Sequence, residues 1–243
     1  MTATTRTNST PRALAILTIF TGVMLLIATY LAFIYAPTEI NMGDVQRIFY
    51  FHVGAAWAGA LAFAVTVYAG VRYLIKPAQN WDILGHSSVE VGLALITITL
   101  TSGPVWAQFA WGKPWTWDPK LTASAVMWLS YAAYLMLRQG IEDPDRRARF
   151  SAIYGIVAFA SVIMTYFGVR LAEATIHPVV IGPSAGTPET EVGMAPGMRV
   201  AMIFAFVTFT FVYATLLWHR IRLQNLSERV NLLKMRMFNR EAA

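Results

Sequence analysis

Four of the chain's eight tryptophans, Trp106, Trp111, Trp115 and Trp117, fall within twelve residues and run straight into Asp118-Pro119-Lys120-Leu121-Thr122. Each indole offers a broad apolar face and a single N–H donor. With a carboxylate and the cations of Lys113 and Lys120 beside them, they form a shelf suited to something flat, apolar and anionic. An interfacial aromatic belt is the plainer reading, but a belt accounts for one or two indoles per connection. Asp118 suits the cap of a following helix better than contact with an anion. Lys120 could meet a ligand carboxylate or sit among lipid headgroups. A second group lies upstream, where Arg47 precedes His52 by five residues and His52 is followed by Gly54, Ala55, Ala56, Ala58, Gly59 and Ala60. Small residues there allow close helix packing, or leave room for a planar ring. The guanidinium of Arg47 suits a carboxylate; an ion pair with Asp44 or a lipid phosphate is the alternative.

The elements that must carry these residues are membrane helices. The chain has 243 residues, 56% hydrophobic and 13% charged, where a soluble domain carries about a quarter charged. Its mean hydropathy is +0.50. A span needs roughly 20 apolar residues, rising about 1.5 Å each across a core of about 30 Å. Six stretches qualify, 13–36, 48–74, 88–110, 123–138, 151–172 and 198–218, the fourth short enough to lean on its flanks. The apolar runs are continuous rather than alternating, which points to helices and not a barrel. The expected fold is therefore all-α, a single six-helix transmembrane domain over 1–243 with no cleaved signal at its start.

Charge orients it. With six spans and the N-terminus inside, 14 of the 19 lysines and arginines fall on the inner side, leaving Arg47, Lys113, Lys120, Arg170 and Arg199 outside. The positive-inside rule then puts both termini in the cytoplasm and the tryptophan loop (106–122), between helices 3 and 4, on the outer face. The pI of about 9.7 follows topology rather than one basic face, so nucleic acid is a poor partner. The longest outer connection, 173–197, is rich in proline and glycine and reads as an irregular loop. In the tail (220–243), Leu223, Leu226, Val230, Leu233 and Met237 recur at helical steps among basic residues. That is an amphipathic helix, lying on the anionic inner leaflet or docking a partner.

Topology sorts the four histidines. His86 and His219 fall at inner helix ends, where a hydrogen-bonded interfacial role suffices. His52 lies one turn inside the outer end of span two, and His177 just past span five, both on the side of the tryptophan loop. Imidazole is the common axial ligand of haem iron, so two histidines converging on an aromatic shelf suggest haem. With no cysteine, thiolate metal sites, disulfides and covalent haem attachment through C-x-x-C-H are excluded. No phosphate-binding glycine loop and no H-E-x-x-H motif occurs.

The segment Trp111-Gly112-Lys113-Pro114-Trp115-Thr116-Trp117-Asp118-Pro119-Lys120-Leu121-Thr122 resembles the WWD signature of haem-handling proteins in cytochrome c maturation. Together with six spans, the length and Arg47-Ile48-Phe49-Tyr50-Phe51-His52-Val53, it resembles the System I CcmC family over nearly the whole chain. The resemblance implies a bacterial inner-membrane protein, not an enzyme, that binds non-covalent, transient b-type haem at the outer face. It would load the haem chaperone CcmE, with CcmD and the CcmAB ATP-binding cassette transporter as partners. It implies His52 and His177 as iron ligands and Trp111, Trp115, Trp117 and Asp118 as the platform; Trp106, Gly112, Lys120 and Arg47 complete the expected binding surface on their own chemistry and position. Lys120 stands where this family commonly has arginine. Two other classes compete. A membrane b-type cytochrome with a permanent electron-transfer haem would hold it between spans, whereas most of this site is expected in a loop. A haem permease would need a line of polar groups through the membrane middle, and none is evident.

Overall fold

The computed structural model describes residues 10–171, 177 and 194–241. Among these, six long α-helices account for nearly everything: α1 (Arg12–Tyr30), α2 (Arg47–Ile75), α3 (Gln79–Trp111), α4 (Pro119–Gln139), α5 (Pro144–Leu171) and α6 (Pro196–Glu241). α1 runs on as a π-helical segment over Leu31–Tyr35, and a 3₁₀ turn, Asp44–Gln46, leads into α2. Five helical segments are long and apolar enough to cross a membrane. α4 is the one that falls short, because Lys120, Arg138 and several hydroxyls dilute its apolar run. Its 21 residues still measure about 31 Å at ~1.5 Å per residue.

Helix boundaries follow local chemistry. Asp118 caps α4, its carboxylate accepting the Leu121 N–H at 2.9 Å, and Pro119 takes the first helical position. α5 repeats the device, with Asp143 accepting from the Arg146 N–H at 2.7 Å ahead of Pro144. Both satisfy amide donors that a helix start leaves bare. α3 ends at Trp111 because Gly112 adopts the left-handed conformation, φ +69°, which glycine enters without strain. α3 begins at Gln79, nine residues before the apolar run expected from 88.

α2 packs chiefly on α3, and α4 chiefly on α5. The first pair is held close by small residues: a Cβ on Gly92 would fall 2.8 Å from that of Ala62. The backbones of α2 and α4 do not approach each other among the described residues. They meet through long side chains, with the Phe63 and Tyr131 rings parallel and 3.5 Å apart. Below that stack Arg138 of α4 grips Asp82 of α3 with two hydrogen bonds of 2.6 and 2.9 Å. These contacts join the two helix pairs on the side away from the tryptophan loop. α6 closes the bundle against α1, α2 and α3; Tyr213 bonds Ser88 at 2.7 Å, and Thr215 bonds Thr21 at 2.8 Å. It then continues without a break through the basic tail to Glu241, so the expected tail helix is an extension of the last span. Most of the expected loop 173–197 lies outside the described residues.

Candidate haem site

On the tryptophan-loop side of these contacts the helices enclose a cavity of about 570 Å³, within the ~300–1,000 Å³ typical of small-molecule sites. One face of α2 lines it at helical spacing through Phe49, His52, Ala56, Ala60 and Ala64, a depth of about 22 Å at ~1.5 Å per residue. α3 contributes Gly103, Pro104, Trp106 and Trp111, α4 contributes Lys120, Leu121 and Met127, and α5 contributes Phe159 and Tyr166. The Tyr166 hydroxyl donates to the Ala56 carbonyl at 2.6 Å and fixes α5 across α2. The site was expected mainly in a loop. It is instead a cleft between helices with the loop as its rim.

His52, His177, Trp106, Trp111, Trp115 and Lys120, brought from four segments of chain, all line this cavity. The aromatic residues meet edge to face. Trp106 and Trp111 have centroids 5.2 Å apart, and Trp111 and the His177 ring 5.8 Å. Trp115 in turn meets Trp117 at 5.6 Å. Trp117 itself is 77% exposed and stands outside the lining. Asp118 caps α4 and Gly112 ends α3, so both shape the rim rather than the cavity wall. Arg47 is also outside the lining. Its guanidinium bonds Asp44 at 2.9 Å, the Ala32 carbonyl at 2.6 Å and Thr38 at 3.2 Å, tying the end of α1 to the start of α2. His86 approaches Glu90 at 3.8 Å and His219 bonds Thr18 at 2.9 Å, both remote from the cavity lining.

The polar groups of the site are few and specific. Nδ1 of His52 lies 3.0 Å from Ser102 Oγ, whose own proton goes to the Ile98 carbonyl at 2.7 Å. With that proton on the carbonyl the hydroxyl accepts from Nδ1–H, the tautomer that leaves the imidazole lone pair on Nε2. Gly103 lets the ring sit there, since a Cβ would come 3.0 Å from His52 Cε1. Lys120, in the first turn of α4 ahead of its apolar run, bonds Nδ1 of His177 at 3.1 Å. Burial pushes its ammonium down to about 8, against the opposing pull of the Asp118 carboxylate. The indole nitrogens of Trp106 and Trp115 are buried and find no acceptor. Two orphaned donors and one amine in the wall of an apolar cleft fit a planar apolar ligand with acidic substituents. Ser102 and Gly103 were not anticipated from the sequence. Their signal is Ser102-Gly103-Pro104, a small polar break inside an apolar helix.

A family model described as heme exporter protein C, CcmC, matches residues 2–236. The chain belongs to the CcmC family. It is 26% identical over 233 residues to heme exporter protein C of Bradyrhizobium diazoefficiens, covering 96% of this chain and 86% of that protein. Against heme exporter protein C of Rhodobacter capsulatus it is 23% identical over 204 residues, covering 84% and 83%. A shorter stretch of 100 residues is 42% identical to the cytochrome c biogenesis protein CcsA of Thermosynechococcus vestitus, covering 41% of this chain and 30% of that one.

Proposed function

We propose that this chain is the haem-holding subunit of a System I cytochrome c maturation machine. It crosses the inner membrane six times with both termini in the cytoplasm, and presents its cavity to the outer side. There it holds non-covalent b-type haem transiently and loads it onto a chaperone of the CcmE type, working with CcmD- and CcmAB-type partners. The observation that carries this reading is the convergence of His52 and His177 on one apolar cavity walled by Trp106, Trp111 and Trp115. Haem is cargo, and the chain's own residues do the holding. His52 and His177 supply imidazole nitrogen to iron, and the indoles cover the macrocycle. Lys120 and the indole N–H groups meet its carboxylates. No catalytic turnover is assigned to the chain.

A cleft between helices also suits a resident electron-transfer haem, which is the second reading. Transfer separates the two. The haem-loaded protein, purified with its partner subunits and mixed with a haem-free acceptor of the CcmE type, should lose its haem absorbance as the acceptor gains it. Retention of haem through repeated exposure to acceptor and partners would favour the resident cytochrome.

A further inference from the structure

The two imidazoles of the cavity are held in opposite ways. At His52, Ser102 Oγ accepts from Nδ1–H at 3.0 Å because its proton is already given to the Ile98 carbonyl at 2.7 Å. Nε2 therefore carries the lone pair, and the ring is ready to bind a metal. At His177 the partner of Nδ1 is the Lys120 amine at 3.1 Å. An ammonium has three donors and no acceptor, so Nδ1 of His177 must be the acceptor. Its lone pair is engaged by that contact, and the ring proton sits on Nε2. Neither nitrogen of His177 is then available to a metal while Lys120 stays in place.

We propose that Lys120 is a latch on His177, released by the carboxylates of the cargo. The proposal rests on the haem reading above. Cargo first meets His52, whose tautomer is set by Ser102. As the macrocycle settles, a carboxylate on its edge draws the Lys120 ammonium away from Nδ1, exchanging a neutral acceptor for a charged one. The ammonium then faces an opposite full charge instead of a neutral ring nitrogen, and in a site of low dielectric that added Coulomb attraction favours the exchange. The freed imidazole moves its proton from Nε2 to Nδ1 through water, with no net gain or loss, and Nε2 then carries the lone pair. Lys120 remains an ammonium throughout. The second ligand thus becomes available only to a ligand bearing both a metal and an acidic edge. Departure of the carboxylate restores the latch, which favours release. Lys120 is a positioning residue in this scheme.

The test compares ferric haem with its dimethyl ester, which keeps the iron and ring but lacks the acids, on the purified full-length protein. Optical spectra report the ligand set. Haem should give the six-coordinate low-spin form and the ester a high-spin form with one imidazole. In Lys120→Met the ester should turn low-spin and bind roughly ten-fold or more tightly than it binds wild type. A low-spin ester complex in wild type, equal to that of haem, overturns the latch while leaving the haem site standing. Absence of binding by either porphyrin overturns the haem reading and the latch together. A second measurement needs no variant fold. In the unloaded wild-type protein labelled with ¹⁵N-histidine, the His177 signal, assigned by its loss in His177→Ala, should show the Nε2–H tautomer. The Nδ1–H tautomer there contradicts the proposal.

Discussion

Single side chains in the cavity have separable tasks. Ser102→Ala removes the acceptor that fixes the His52 tautomer; losses at such supporting positions run about 10- to 100-fold in metal affinity. Titration of the purified variant with haem should show that weakening, with Ser102→Thr recovering most of it. The tryptophans should divide the same way. Trp115 lines the cavity and Trp117 is 77% exposed beyond it. Trp115→Ala should therefore lower haem occupancy several-fold more than Trp117→Ala, and equal losses would return the pair to an aromatic belt. The sequence showed that these indoles were too dense for a belt, but not which of them faces a ligand. Trp115 and Trp117 lie only two residues apart in an irregular turn, where no periodicity assigns faces.

Helices carry the next level of the account. α2 and α3 must lie close for His52 to meet Ser102 and Gly103, and Gly92 permits that approach. Gly92→Val forces the pair apart, and overpacking of this kind costs about 1–3 kcal/mol. The variant should insert normally yet lose thermal stability in detergent, measured as a fall in its unfolding temperature. Asp118→Ala removes the cap of α4, a loss of typically ~1 kcal/mol, and loosens the turn that carries Lys120. Haem affinity should fall more than global stability in that variant. The Asp118 cap and the small-residue face of α2 are written locally in the chain, so both were readable from sequence. The early start of α3 was less so, because Asp82 and His86 look like a membrane boundary. In the fold Asp82 is held by Arg138, inside a helix that begins at Gln79. Arg47 illustrates a further limit: its partners Ala32 and Thr38 are set by how α1 meets α2, which sequence spacing does not reveal.

At the scale of the whole molecule, the division of charge gave an outer and an inner end. That division placed His52, His177 and the tryptophans together before any coordinates. The depth of the site was not legible. It is set by how α2, α3, α4 and α5 pack around the cavity, with Phe63, Tyr131, Asp82 and Arg138 joining α2 and α3 to α4. A cavity shared among four helices leaves no periodic trace in any one of them. The orientation itself is testable with a reporter fused after Ala243, which should read out in the cytoplasm; an outer-side signal would overturn the sorting of histidines. The account as a whole turns on whether one iron meets two imidazoles in this cleft. Optical spectroscopy of haem-loaded protein, purified with its partners, should show low-spin iron in wild type. His52→Ala should lose most of the bound haem, and His177→Ala should shift what remains to a high-spin spectrum. Wild-type spectra at full stoichiometry in both variants would contradict the account.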